Sequence, residues 1–281
     1  MAKLSYLDAI KDALFTAMEQ DDDVFVLGED VGKKGGVFKV TEGLQEKFGE
    51  MRVLDTPLAE SNIAGTAIGA AMVGKKPVAE IQFAEYILPA VNQILNEAAK
   101  IRYRSDNDWN APLVIRAPFG GGIHGALYHS QSIESIFVST PGLKVVVPSN
   151  PADAKGLLMA AIKDNDPVLY FEHKKAYRLL KGEVPEGEYI VPIGQANTVR
   201  SGDDITVITY GLCVNYAVQA AEQLSKDGYE AEILDLRTLY PLDKESIIKA
   251  ASKTGKVLLV TEDNLEGSVM LSLIHISDGA R

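Results

Sequence analysis

Val24-Phe25-Val26-Leu27-Gly28-Glu29-Asp30-Val31-Gly32 decides the fold: four apolar residues in a row, too few for a helix, end on a glycine and open into an acidic loop. A short run that is apolar at every position reads as a strand covered on both faces. The same unit recurs. Strand-length apolar runs stand at 77–83, 112–117, 143–148 and 167–172, and helical patterns lie around them at 6–19, 61–73, 88–103 and 152–163. Ser5, Ser61 and Asn150 occupy N-cap positions, and Gly74 suits the end of the second helix. Such alternation predicts an α/β fold with a mostly parallel sheet flanked by helices.

The rhythm breaks over 173–203, where Lys181-Gly182-Glu183-Val184-Pro185-Glu186-Gly187-Glu188 is charged and rich in breakers. It resumes with strands near 204–210, 230–236 and 256–261 and helices near 214–226 and 243–253. We therefore expect a first domain over 1–180, a linker over 181–203 and a second, smaller α/β domain over 204–281.

With 281 residues, 46% of them hydrophobic, the chain can bury one large core or two ordinary ones. Its net charge of -11 repels phosphate backbones and anionic lipid, so neither nucleic acid nor a membrane is an expected partner. The single cysteine, Cys213, cannot form an intrachain disulfide and reads as a buried thiol in a reducing compartment. No apolar run is long enough to span a bilayer, and charges interrupt every apolar stretch near the N-terminus, so the expected location is cytoplasmic.

In open α/β sheets ligands bind beyond the carboxyl ends of strands, and four segments stand there. Gly28 to Gly36 is glycine-rich but acidic, a poor phosphate cradle that reads as a solvated connection. Within Asp55-Thr56-Pro57-Leu58-Ala59-Glu60-Ser61-Asn62, Glu60 begins a helix, where the dipole favours a carboxylate. Flanked by Leu58, Ala59 and Ile63, it also reads as a poorly solvated carboxyl able to share a proton with a ligand nitrogen. Gln82-Phe83-Ala84-Glu85-Tyr86-Ile87 sets two aromatics at a strand end, either core or platform for a flat heterocycle. Gly120 to Ser132 holds His124 and His129, two of the four histidines and natural acid-base groups at neutral pH. Gly120, Gly122 and Gly125 match G-x-G-x-x-G in form, but a polar loop follows and no acidic residue stands about twenty positions on to hold a ribose. No nucleophile elbow, P-loop or cysteine pair occurs, and His124 with His129 lacks metal-ligand company.

Taken together, Leu27-Gly28-Glu29-Asp30-Val31-Gly32, Asp55 to Glu60, Gln82-Phe83 with Pro89-Ala90 and Gln93-Ile94, Ile101-Arg102-Tyr103-Arg104, and Asp235 to Asp243 resemble one family. It is the beta subunits of the thiamine-diphosphate-dependent decarboxylating component of 2-oxo-acid dehydrogenase complexes, and the resemblance runs over about residues 4–270. It implies a transketolase-like fold, with a pyrimidine-binding domain followed by a smaller C-terminal domain. It implies that Glu60 hydrogen-bonds the aminopyrimidine nitrogen of thiamine diphosphate and promotes its imino tautomer. Glu29, Leu58, Gln82, Phe83 and Tyr86 would line the cofactor, and His129 would handle protons and pass the acyl group to a lipoyl arm.

The aromatic and histidine segments look more like the branched-chain type than the pyruvate type, the alternative substrate class. The implied partners are an alpha subunit in an α2β2 assembly, a lipoyl acyltransferase core and the 2-oxo-acid substrate. Because the Gly-Asp-Gly motif with its downstream asparagine is missing, magnesium and the diphosphate half fall to the alpha subunit. Potassium is implied near Leu113, Ala161, Asp164 and Asp166. A deoxyxylulose-phosphate synthase fragment is the rival within the same fold, and the tight spacing of the histidine loop argues against it. A non-catalytic assembly subunit is the rival of another class, disfavoured by Glu60 and His129 standing together. Leu271 to Arg281 departs from the family pattern, so we expect a second domain truncated after about residue 270 and impaired in assembly.

Overall fold

The computed structural model describes residues 1–278. In chain order these form β1 (Ala2–Ser5), α1 (Tyr6–Gln20), β2 (Val24–Gly28), α2 (Leu44–Phe48), β3 (Val53–Asp55), α3 (Glu60–Met72) and β4 (Lys76–Glu80). A broken helical stretch over 84–100 leads into α4 (Ile101–Arg104), β5 (Val114–Phe119), α5 (Ser135–Val138), β6 (Lys144–Val146), α6 (Pro151–Lys163), β7 (Val168–His173), α7 (Ala176–Leu179) and β8 (Lys181–Val184). The second part holds β9 (Asn197–Arg200), β10 (Ile205–Thr209), α8 (Leu212–Leu224), β11 (Ala231–Asp235), β12 (Thr238–Tyr240), α9 (Lys244–Thr254), β13 (Val257–Leu259) and α10 (Val269–Asp278).

Helix α1 shows how local sequence sets an element. Ser5 Oγ accepts the Asp8 N–H at 3.0 Å and caps it. Tyr6, Ala9, Ile10, Ala13, Leu14, Ala17 and Met18 then recur at helical spacing and are buried against the sheet and α6. Asn150 caps α6 in the same way, accepting from Asp153 at 2.9 Å. Ser61 does not cap α3: the helix already begins at Glu60, so Ser61 lies in its first turn.

The main sheet runs β12-β6-β7-β5-β4-β2-β3, parallel throughout except for β12, which pairs antiparallel with β6. Alternate residues face opposite layers. Val24, Val26, Val78, Val114, Val146 and Val168 pack under α1 and α6, while Leu27, Ala79, Ile115, Ala117, Val145 and Leu169 pack against α3 and the 84–104 stretch. The fold is therefore α/β, a mostly parallel sheet flanked by helices as expected, with a second and smaller α/β sheet in the order β13-β10-β11-β9.

Several boundaries differ from the sequence expectation. The strand expected over 77–83 stops at Glu80, so Gln82 and Phe83 stand beyond its carboxyl end. The helix expected over 88–103 is broken into a 3-10 segment with Pro89 inside it, a π turn over Gln93–Glu97 and a second 3-10 turn before α4. Pro89 has no N–H for an intrahelical bond, which accounts for the first break. Within 181–203, β8 turns back to pair with β1 and β9 forms the edge of the second sheet. Beyond residue 270, α10 folds onto α9 with Leu273 fully buried; Gly279, Ala280 and Arg281 lie outside the described residues.

Candidate active site

Because β2, β3, β4, β5 and β7 are parallel, their carboxyl ends share one edge of the sheet, and the candidate residues leave it in spatial order. Glu60 follows β3, Glu29 follows β2, Gln82, Phe83 and Tyr86 follow β4, and His129 follows β5. Gln82 Nε2 lies 3.4 Å from the Glu29 carbonyl oxygen, tying the ends of β2 and β4. The pKa of Glu29 is raised, first by burial and then by the negative charges of Asp30 and Glu60.

Glu60 is half-buried, not enclosed as its apolar neighbours suggested, and Leu58 is 69% exposed. Among the described residues the Glu60 carboxylate makes no hydrogen bond or ion pair. It stands in the first turn of α3, where the helix dipole favours its charge.

The aromatic segment and the histidine loop come together. The His129 ring stacks on Phe83 with centroids 4.2 Å apart and planes at 20°. Tyr86 meets both rings edge-on, at 5.6 Å in each case. His129 Nδ1 lies 2.6 Å from the Tyr128 carbonyl oxygen, which can only accept, so Nδ1 carries the proton. That assignment leaves Nε2 with the lone pair. The Tyr86 hydroxyl, 3.4 Å from Nδ1, then adds packing and little hydrogen bonding.

Residues that sequence reasoning passed over complete the surroundings. The Gly28–Gly36 segment is no solvated connection: Gly32 N–H donates to Asp55 at 2.6 Å, the Thr41 hydroxyl donates to the Val31 carbonyl at 2.7 Å, and Val31 is fully buried. The chain just beyond it brings Phe38 edge-on to Phe83, with centroids 5.6 Å apart. Lys174, at the end of β7, places its ammonium 5.4 Å from the Phe83 centroid and 4.0 Å from the buried Glu85 carboxylate. Burial lowers Lys174 to about 8, against the opposing pull of Glu85 and Glu262. The strand-end rule applied to 167–172 points directly at Lys174; Phe38, in an irregular loop, leaves no comparable signal.

Beneath these loops lies a buried ion ladder. Arg116 on β5 bonds Glu80 at 2.8 Å and Glu172 at 2.6 and 2.8 Å, and the Tyr177 hydroxyl adds a bond to Glu172 at 2.5 Å. Burial raises the Glu80 pKa, and the guanidinium opposes that rise. Gly120, the first glycine of the histidine loop, fits tightly against the end of β7. A Cβ on Gly120, whose φ is +81°, would lie 2.3 Å from His173 Nε2. No helix opens after Gly120, Gly122 and Gly125, only the single turn Leu127–His129, unlike a dinucleotide-binding loop.

The family model "Transketolase, pyrimidine binding domain" matches residues 2–179, and "Transketolase, C-terminal domain" matches residues 194–278, including most of the tail that stood apart in the sequence. The 2-oxoisovalerate dehydrogenase subunit beta of Bacillus subtilis (strain 168) is 70% identical over 276 residues, 98% of this chain and 84% of that protein. The chain belongs to the family of 2-oxo-acid dehydrogenase beta subunits. The pyruvate dehydrogenase E1 component subunit beta of Staphylococcus aureus (strain Mu50) is 48% identical over 274 residues, 98% of this chain and 84% of its own. The expected leaning toward the branched-chain type agrees with that ordering. Among solved structures, a split gene transketolase described as an inactive beta4 tetramer superposes with a TM-score of 0.82 at 23% identity, covering 98% of this chain and 84% of its own, which shows the shared fold.

Thiamine diphosphate, which the matched domains suggest, would find fitting groups for its ring end here: among the described residues a carboxylate without a protein partner, a second carboxylate of raised pKa, and aromatic rings beyond one strand end. The potassium set fits less well. Lys144 Nζ already holds Asp164 at 2.5 and 2.7 Å, and Arg102 Nε holds Asp166 at 2.5 Å. The Leu113 and Ala161 carbonyls already accept backbone N–H groups at 2.9 and 3.3 Å. A cation there would have only the second lone pairs of those carbonyls.

Proposed function

We propose that the chain is the beta subunit of a branched-chain 2-oxo-acid dehydrogenase, acting with an alpha subunit in oxidative decarboxylation and reductive acylation of a lipoyl group. The observation that carries this reading is the ordered set Glu60, Glu29, Phe83 with Tyr86, and His129 on neighbouring strand ends of a matched pyrimidine-binding domain. When bound, thiamine diphosphate supplies the carbon nucleophile that attacks the 2-oxo group. Glu60 holds and moves a proton at the pyrimidine ring nitrogen, with Glu29 beside it on the neighbouring strand end. Phe83 and Tyr86 orient the flat ring, with Gln82 bracing the Glu29 backbone and Leu58 at the rim. His129, with Nδ1 tied to Tyr128, offers Nε2 to take and return a proton as the acyl group passes to the lipoyl arm.

The exposure of Leu58 and the half-burial of Glu60 support a site closed by a second polypeptide. We assign to that alpha chain the magnesium and diphosphate, in an α2β2 assembly that delivers acyl groups to a lipoyl acyltransferase core. No step is assigned to potassium. The lone buried thiol Cys213, pushed up to about 11 by burial, suits the reducing cytoplasm.

Co-expression with an alpha chain, followed by decarboxylation assays on 2-oxoisovalerate and pyruvate, tests the reading. Turnover should need both chains and favour 2-oxoisovalerate. Preference for pyruvate would overturn the substrate assignment, and turnover by the beta chain alone would overturn the shared site.

A further inference from the structure

Both feet of the loop that carries His129 connect to one short segment of the second domain, the first directly and the second through Tyr210. At the first foot the Gly121 N–H donates to Glu262 Oε1 at 2.7 Å, and His173 Nε2 lies 2.6 Å from Glu262 Oε2. The Lys175 N–H donates to His173 Nδ1 at 3.2 Å, so Nδ1 is the acceptor and Nε2 carries the proton toward Glu262. At the second foot, Glu134 Oε1 accepts the Tyr210 hydroxyl at 2.7 Å, which in turn accepts the Thr261 hydroxyl at 2.7 Å. Thr261 and Glu262 are consecutive and follow β13, so that strand end holds the first foot directly and the second through Tyr210, which follows β10.

Between its feet the loop needs holding. The Gly120 N–H donates to the Gln131 carbonyl at 2.9 Å to close its neck. Inside that neck His124 and Ala126 take φ values of +58° and +57°, which residues with a Cβ keep only where their surroundings impose them. The His173 N–H holds the Glu262 carboxyl below its ordinary range, so the carboxylate stays charged at neutral pH.

We propose that Glu262 is a positioning residue for His129: by joining Gly121 and His173 across the domain seam, it fixes the loop that sets the imidazole against Phe83 and Tyr86. Its consequence for turnover rests on His129 passing the acyl group, while its structural part does not. The Glu262 side chain is 34% exposed, so removing it leaves room for water and no charge sealed in the core.

The test uses the enzyme reconstituted with its alpha chain, comparing Glu262→Ala, Glu262→Gln and His129→Ala with the parent. Lipoyl-domain acylation, thiamine diphosphate affinity and amide hydrogen exchange over residues 121–134 are measured. Glu262→Ala should lower kcat for acylation by about 10- to 100-fold, leave cofactor affinity within about twofold, and speed exchange in the loop. Glu262→Gln should fall between, because its amide oxygen can still accept from Gly121 or from His173 but not charge-assisted from both. Unchanged exchange in Glu262→Ala overturns the proposal, as does an equal fall in acylation and cofactor affinity. If His129→Ala acylates normally, the role given to His129 fails, and the exchange data still decide whether Glu262 holds the loop.

Discussion

Glu60 and Glu134 are two carboxyl groups that the fold treats differently. Glu60 stands half-buried at a helix start and, among the described residues, without a hydrogen-bond or ion-pair partner. Glu60→Gln removes the exchangeable proton at nearly constant shape, and turnover of the reconstituted enzyme should fall by about 10² to 10⁴. Steady-state assays at saturating cofactor check this, and a rate within threefold of the parent would revive the non-catalytic reading. Glu134 is fully buried, and burial pushes its pKa from 4.5 up to about 7 despite the Tyr210 hydrogen bond. A raised carboxyl pKa means that the folded chain holds this proton more tightly than the unfolded chain. Its stabilising contribution is complete below pH 4.5 and is lost as pH rises through about 7. Glu134→Gln keeps the Tyr210 bond and never ionises, so its melting temperature should exceed the parent's at pH 8 and approach it as pH falls below 4.5. Asp235, also raised to about 7 by burial, leaves a residual slope in both proteins. As candidates, His129 was legible because it follows a strand-like run and Glu60 because it opens a helical pattern; Glu134 and Glu262 were not, because their partners stand 76 and 89 residues away.

At the scale of elements, the carboxyl edge of the sheet is held by charge inside the core. Arg116 on β5 is 0% exposed and joins Glu80 on β4 to Glu172 on β7. Arg116→Met would leave two carboxylates buried without their cation, which should cost about 3–5 kcal/mol. Chemical denaturation of the variant measures that loss, and a change under 1 kcal/mol would show that the ladder contributes little. The long elements were readable because their patterns are local: α1, α6 and the apolar runs of β2, β5 and β7 carry their periodicity in consecutive residues. β8 (KGEV) and β9 (NTVR) are short and mostly polar, and β3 has three residues, so no pattern announces them. They are strands only because a distant strand offers them a ladder.

At the scale of the whole molecule, the two sheets do not behave as beads on a string. β12 leaves the second part of the chain and adds to β6 of the main sheet, while Ile208, Leu234, Leu236, Leu239 and Ile247 join the same apolar cluster as Ile115, Val145 and Phe171. The domain division that we propose, near 180 to 204, therefore follows the sequence pattern of the chain more than its energetics. Two domains joined by a small polar interface melt separately, whereas a shared core makes the melting of one depend on the other. Calorimetry of the beta chain should accordingly give one transition whose calorimetric and van't Hoff enthalpies agree. Leu239→Ala, a cavity at the seam in neither sheet's private core, should cost about 2–5 kcal/mol and lower that single transition as a whole. Two transitions, with only one of them shifted by the substitution, would mean that the seam is too weak to couple the halves, and that Glu262 could release the His129 loop while the main sheet stayed folded.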